Sequence, residues 1–205
     1  MSLILEGLTL GLILAVSLGP IFLALTHTSI EKGTLPGLVV GSGIWISDIL
    51  FVVLLYRFIA SIKHTIESPS FNFWMSMSGA LFLIIFGIVL FIKKPSLDYS
   101  HVKLKKGDYI GFWLKGFLIN TANPFTFVFW IGVISTYVIG RNLSAKDLIL
   151  FLSTIIIVII VSDTAKVYLA NFLKKWLTVK HINIITNLSS IILIIFGLFL
   201  AYKVI

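Results

Sequence analysis

The 205-residue sequence contains no cysteine. Disulfide bonds, thiolate metal ligands and a dithiol electron relay are therefore excluded. The sequence also shows no nucleotide-binding loop, no metal-ligand cluster and no nucleophile placed beside a base. We expect neither enzyme activity nor a cofactor, and no resident metal.

Charged residues are scarce as well, at 12% of the chain against 59% hydrophobic residues, and the mean hydropathy is +1.10. So few polar side chains cannot cover the surface of a soluble globular protein. The apolar runs are continuous, whereas the strands of a membrane β-barrel alternate in polarity. The composition therefore predicts an all-α integral membrane protein in the lipid bilayer.

A helix needs about 20 apolar residues to span a bilayer. Six stretches of this length occupy nearly the whole chain, so we expect six transmembrane helices. They are residues 3–30, 35–60, 71–92, 110–139, 147–172 and 183–204.

Basic residues are distributed unevenly between alternate loops. Although the net charge is +8, in so apolar a chain this charge indicates membrane orientation rather than nucleic-acid binding. The positive-inside rule places the richer set in the cytoplasm and both termini outside. The richer side has nine, Lys32, Lys93, Lys94, Lys103, Lys105, Lys106, Lys174, Lys175 and Lys180, and the other has five, Arg57, Lys63, Arg141, Lys146 and Lys203.

Two of the predicted spans are interrupted by a proline motif, Ser17-Leu18-Gly19-Pro20 in the first and Asn120-Thr121-Ala122-Asn123-Pro124 in the fourth. Proline removes a backbone donor and breaks or kinks a helix, and asparagine before proline is a good N-cap for a new helix. The positive end of a half-helix in a membrane can hold an anionic substrate group. We expect both helices to be broken and to bind substrate there, with a packing kink as the alternative.

The two halves of the chain share three features in the same order. Pro20 corresponds to Pro124, Ser47-Asp48 to Ser162-Asp163, and the Leu-Ile-Ile-Phe-Gly of 83–87 to that of 193–197. Because each copy contains three spans, the second copy must enter the membrane from the opposite face. The sequence therefore predicts two inverted three-helix repeats with a site at their interface. These repeats are residues 1–94 and 110–205, joined by a basic cytoplasmic linker at 95–109.

Asp48 and Asp163 each lie near the middle of an apolar helix, where a charge costs at least ~2.5–3.5 kcal/mol. Because desolvation disfavours the charged form of a carboxyl, both are candidates to bind and release a proton. The alternative is a structural role, such as capping the broken backbone. Lys166 lies three residues after Asp163 on the same helical face, where it either forms an ion pair or binds a substrate carboxylate.

These motifs resemble the lysine exporter (LysE-type) superfamily, close to its amino-acid exporter branch. The resemblance is carried by the Ser-Leu-Gly-Pro motif, a glycine-rich second span from Gly37 to Asp48, and the Gly-Phe-Leu-Ile-Asn-Thr-Ala-Asn-Pro of 116–124. It implies a homodimeric exporter in the bacterial cytoplasmic (inner) membrane, driven by protons. One departure is Ile21, where the family usually has a polar residue.

The resulting hypothesis is a secondary-active exporter of amino acids or related small metabolites that works by alternating access. Its substrate would bind between the two broken helices, near Ser17, Gly19, Pro20, Asn120, Asn123, Pro124 and Lys166, with Asp48 and Asp163 carrying protons. Two alternatives stay open. One is a divalent metal-ion exporter of the same fold, and the other is a transport-inactive membrane scaffold subunit.

Overall fold

The computed structural model describes residues 3–16, 19–66, 68–92, 104–141, 143–174 and 179–204. These ranges contain helices and short turns but no strand, so the prediction of an all-helical chain is confirmed for them. A π-helical segment, Ser135–Gly140, continues the sixth helix. The α-helices are α1 (Leu3–Val16), α2 (Pro20–Lys32), α3 (Thr34–Ile66), α4 (Pro69–Ile92), α5 (Lys106–Thr121), α6 (Pro124–Ile134), α7 (Ala145–Leu173) and α8 (Val179–Val204).

Four of these helices, α3, α4, α7 and α8, are long and apolar enough to cross a membrane without interruption. The remaining four form two bent pairs, α1 with α2 and α5 with α6. The described residues thus provide four candidate spans, or six if each pair is one span. Helix α5 begins at Lys106, four residues before the predicted start of the fourth span. Residues 93–103, which include most of the predicted linker, lie outside the described ranges.

Both sequence motifs coincide with helix breaks. The axes of α1 and α2 are bent by 68° and those of α5 and α6 by 63°. Helix α2 begins at Pro20, and α6 begins at Pro124 with Asn123 as its N-cap. The Asn120 carbonyl, to which Pro124 cannot donate, accepts a hydrogen bond from the Asn123 backbone N–H at 3.1 Å. The two expected half-helix N-termini are therefore present.

Glycines allow the broken helices to pack closely against unbroken ones. Gly11 on α1 faces the Ile155 carbonyl of α7, and Gly116 on α5 faces the Val40 carbonyl of α3. Helices α4 and α8 form a third pair, which packs mainly on itself. Small residues serve this purpose in membranes because the hydrophobic effect does not draw helices together in lipid. The packing fixes each break against the interior of the molecule.

We predict that Gly116→Ala destabilises the protein, because a Cβ there would overlap the Val40 carbonyl oxygen. Forced overpacking costs typically about 1–3 kcal/mol, so the melting temperature in detergent should fall. Gly111→Ala on the same helix is the matched control, since a Cβ at that position meets no atom within 4 Å. Equal melting temperatures for the two variants would contradict the tight α3–α5 packing.

Candidate functional site

A cavity of about 460 Å³ lies where the two helix breaks meet. Its wall is formed by both breaks, by both buried aspartates and by residues of α1, α4 and α8. Seven of the nine residues predicted from the sequence line it, namely Gly19, Pro20, Asp48, Asn120, Asn123, Asp163 and Lys166. Of the other two, Ser17 lies outside the described residues, and for Pro124 only the backbone is described.

Asp48 projects from α3 and is 1% exposed. Its Oδ1 accepts two hydrogen bonds of 2.9 Å each, from Asn120 Nδ2 and Trp130 Nε1. Within the described ranges no group donates to Oδ2. The carboxyl is therefore held through one oxygen, while its other oxygen has no donor from the described residues.

Asn120, at the end of α5, is fully buried and joins three helices. Its Nδ2 also donates to the Ile44 carbonyl of α3 at 3.2 Å, and its Oδ1 accepts from Thr126 Oγ1 of α6 at 3.0 Å. Both amide hydrogens and the amide oxygen are thus engaged. This network locks the break of α5 and α6 against Asp48.

Asp163 on α7 is 2% exposed and uses both carboxyl oxygens. Oδ1 forms an ion pair with Lys166 Nζ at 2.8 Å, and Oδ2 accepts from Trp45 Nε1 at 3.2 Å. In the described part of the chain neither aspartate accepts from a backbone N–H, so neither caps the broken backbone there. Asp163 and Lys166 therefore form the neutralising ion pair for which their spacing of three residues is suited.

A second cavity, of about 140 Å³, lies beyond Lys166, which lines both cavities. Its wall comes from α2, α7 and α8, and six of its ten residues are apolar, the others being Thr26, His27, Lys166 and Thr186. Ile30 and Leu173, near the ends of α2 and α7, belong to this wall, so the small cavity extends toward those helix ends. Two polar atoms beside it, His27 Nε2 and Thr186 Oγ1, have no hydrogen-bond partner among the residues that the structure describes.

Comparison with known proteins identifies the family. Residues 12–204 match the sequence model of the LysE type translocator family. The chain belongs to this family. It is also 24% identical over 208 residues to a Bacillus subtilis (strain 168) protein named "Putative amino acid efflux protein YcgF", covering 99% of this chain and 97% of the relative. No solved structure matches the chain.

Membership of the LysE type translocator family confirms the resemblance seen in the motifs. Together with the apolar helices it indicates a multi-pass membrane protein, and it points to a transporter rather than an enzyme. Among the described residues of this LysE-type chain, no three His, Asp or Glu side chains come together as a metal site.

Trp45 and Trp130 lie deep in apolar spans of the sequence, where they could line a cavity, but packing was the preferred interpretation and their bonds to the aspartates were not predicted. Trp45 in the first half donates to Asp163 in the second, and Trp130 in the second half donates to Asp48 in the first. A signal was available in the sequence. A buried indole N–H requires a hydrogen-bond partner, and a tryptophan deep in an apolar span has few candidates besides a buried acid.

We predict that Trp130→Phe destabilises the protein by about 1–3 kcal/mol, because it removes a donor to a fully buried carboxyl and leaves that acceptor less satisfied. Trp74→Phe is the matched control, since Trp74 is 69% exposed. Thermal unfolding of both variants in detergent measures the difference. A Trp130→Phe protein as stable as the control would show that the indole bond contributes little.

Proposed function

We propose that this translocator is a secondary-active, proton-coupled exporter of amino acids or related small metabolites. The observation that supports this most is the convergence of both half-helix N-termini and both buried acids on one cavity. The named relative, an amino acid efflux protein by its printed name, supports the substrate class. We place the exporter in the bacterial cytoplasmic membrane, as the family resemblance implies, and both termini outside, on the basis of the uneven distribution of basic residues.

The substrate carboxylate binds at the N-terminus of α2. Gly19, the N-cap of that helix, provides no side-chain hydrogen bond, so the first backbone N–H groups of α2 remain available to an anion. The N-terminus of α6 is less open because Asn123 Oδ1 already accepts from Phe125 N at 3.1 Å. Lys166, in the same cavity wall, adds positive charge nearby.

Coupling arises because the substrate ammonium and a proton compete for Asp48 Oδ2. A carboxylate oxygen with no donor of its own can bind either cation, and binding of one excludes the other. Substrate leaves Asp48 on the outer side, a proton replaces it, and that proton is released when the site faces the cytoplasm. The exchange links each outward movement of substrate to an inward movement of protons.

The inverted repeat is supported by equivalent contacts between α4 and α8. The position of a Cβ on Gly87 is 2.8 Å from Ile194 Cγ1, and that on Gly197 is 2.6 Å from Ile84 Cγ1. Gly87 and Gly197 are equivalent in the repeat, as are Ile84 and Ile194, all with an offset of 110 residues. Such reciprocal contacts between antiparallel helices are expected for a pseudo-two-fold axis in the membrane plane. They support six spans in two repeats, 1–94 and 110–205, connected by residues 95–109.

The packing of α4 against α8 also supports a mechanism of alternating access. Helices α4 and α8 pack mainly on each other and cover the cavity as one pair. Movement of this pair against the other helices would expose the cavity to one side and then the other. The small cavity beyond Lys166 lies toward the cytoplasmic side in this orientation and provides the inward path.

We predict that Asp48→Asn reduces pH-driven efflux from proteoliposomes to the rate of empty liposomes. The protein should fold, because an asparagine oxygen still accepts from Asn120 and Trp130, while the cavity-facing atom can no longer bind a proton or a cation. Asp108→Asn is the control, since Asp108 is exposed at the start of α5. Wild-type efflux with unchanged pH dependence in Asp48→Asn would refute the proposed coupling.

We predict a different result at Asp163. Asp163→Asn leaves Lys166 as an unpaired cation in the protein interior, a change that typically costs about 3–5 kcal/mol, so the yield of folded protein should fall. The double variant Asp163→Asn with Lys166→Met should recover that yield and retain pH-dependent efflux with a raised KM. Loss of pH dependence in the folded double variant would instead assign proton transfer to Asp163.

A further inference from the structure

The central cavity has two chemically different sides. Its polar groups come from α3, α5, α6, α7 and the turn before α6. Helices α4 and α8 contribute only apolar side chains to it, namely Leu83, Ile192, Leu193 and Phe196, and α1 likewise contributes Ile13, Leu14 and Ala15. A molecule that fills the cavity therefore contacts polar groups at one end and hydrocarbon at the other.

Most of the charged groups that line the cavity already have partners within the protein. Three charged residues line it in the described ranges, Asp48, Asp163 and Lys166. Asp163 has a donor on each oxygen, and Lys166 is bound to Asp163. Of the carboxylate and ammonium atoms in these three residues, Asp48 Oδ2 is the one that has no partner in the described ranges. The site can pair one ammonium group with it but has no second acid for another cation, and no free cation for a second carboxylate.

We propose that the cargo is an amino acid with an uncharged, apolar side chain, and that Leu83 and Leu193 determine this specificity. The inference rests on the proposed function, and adds the substrate class to it. A charged side chain on the substrate would lie unpaired against hydrocarbon, where it costs several kcal/mol even after partial solvation. An apolar side chain of leucine or phenylalanine size buries its surface against the same wall.

The position of Leu193 supports this assignment. Its Cδ2 is 3.8 Å from the position of a Cβ on Gly19, the N-cap of α2. A carboxylate bound at that helix terminus therefore places the rest of the substrate beside Leu193. Leu83 is the equivalent residue of the first repeat, and the two are 8% and 5% exposed, so both point into the protein rather than into lipid.

The first experiment measures efflux of radiolabelled leucine, phenylalanine, lysine and glutamate from proteoliposomes containing the full chain. We expect kcat/KM for leucine and phenylalanine to exceed those for lysine and glutamate at least about 100-fold, as for substrates that leave a buried group unpaired. Lysine or glutamate moving as well as leucine would overturn the specificity while preserving the exporter. Failure of all four, and of other amino acids, would refute the proposed function itself and this inference with it.

The second experiment tests whether Leu83 and Leu193 contact the side chain of the substrate. Leu193→Ala should raise KM for leucine about tenfold, the effect of removing methylene contacts from a substrate pocket, with kcat nearly unchanged. Leu83→Ala should do the same and serves as a second variant if Leu193→Ala folds poorly. Ile195→Ala is the matched control, because Ile195 lies on the same helix but is 58% exposed. Equal KM values for leucine in all three variants would contradict a side-chain contact at this wall.

Discussion

The hydrogen bond between Asn120 and Asp48 is the interaction on which the interior of this protein depends. A proline break at membrane depth exposes backbone groups that lipid cannot satisfy, and a buried carboxyl is costly without donors. Asn120 addresses both requirements, because its backbone carbonyl accepts from Asn123 while its side chain donates to Asp48. The break and the acid are therefore parts of one polar centre.

A second feature is the exchange of partners between the halves. Each aspartate is held by a tryptophan of the opposite half, and each broken helix packs on an unbroken helix of the opposite half. The site consequently does not exist in either half alone. Both acids therefore lie where the two halves of the chain meet.

The proposed function and the proposed substrate class follow from what remains unoccupied in this network. Asp48 is held through one oxygen and has no donor on the other in the described ranges, whereas both oxygens of Asp163 are engaged. Two aspartates at corresponding places in the two halves of the sequence thus have different hydrogen-bond partners. In the proposed substrate class, the apolar wall from α4 and α8 limits the side chain that can accompany the ammonium group.

The sequence by itself determined the helical class, the two breaks and the candidate acids, because hydropathy, proline and buried charge act locally on the chain. It also predicted the Asp163–Lys166 pair, since residues three apart share a helical face. Only the tertiary structure decided that Trp130 and Asn120 share Asp48 Oδ1, that Trp45 completes Asp163, and that Leu83 and Leu193 meet the cavity. These contacts join residues far apart in the chain, and helix periodicity says which face a residue occupies but not which helix that face meets.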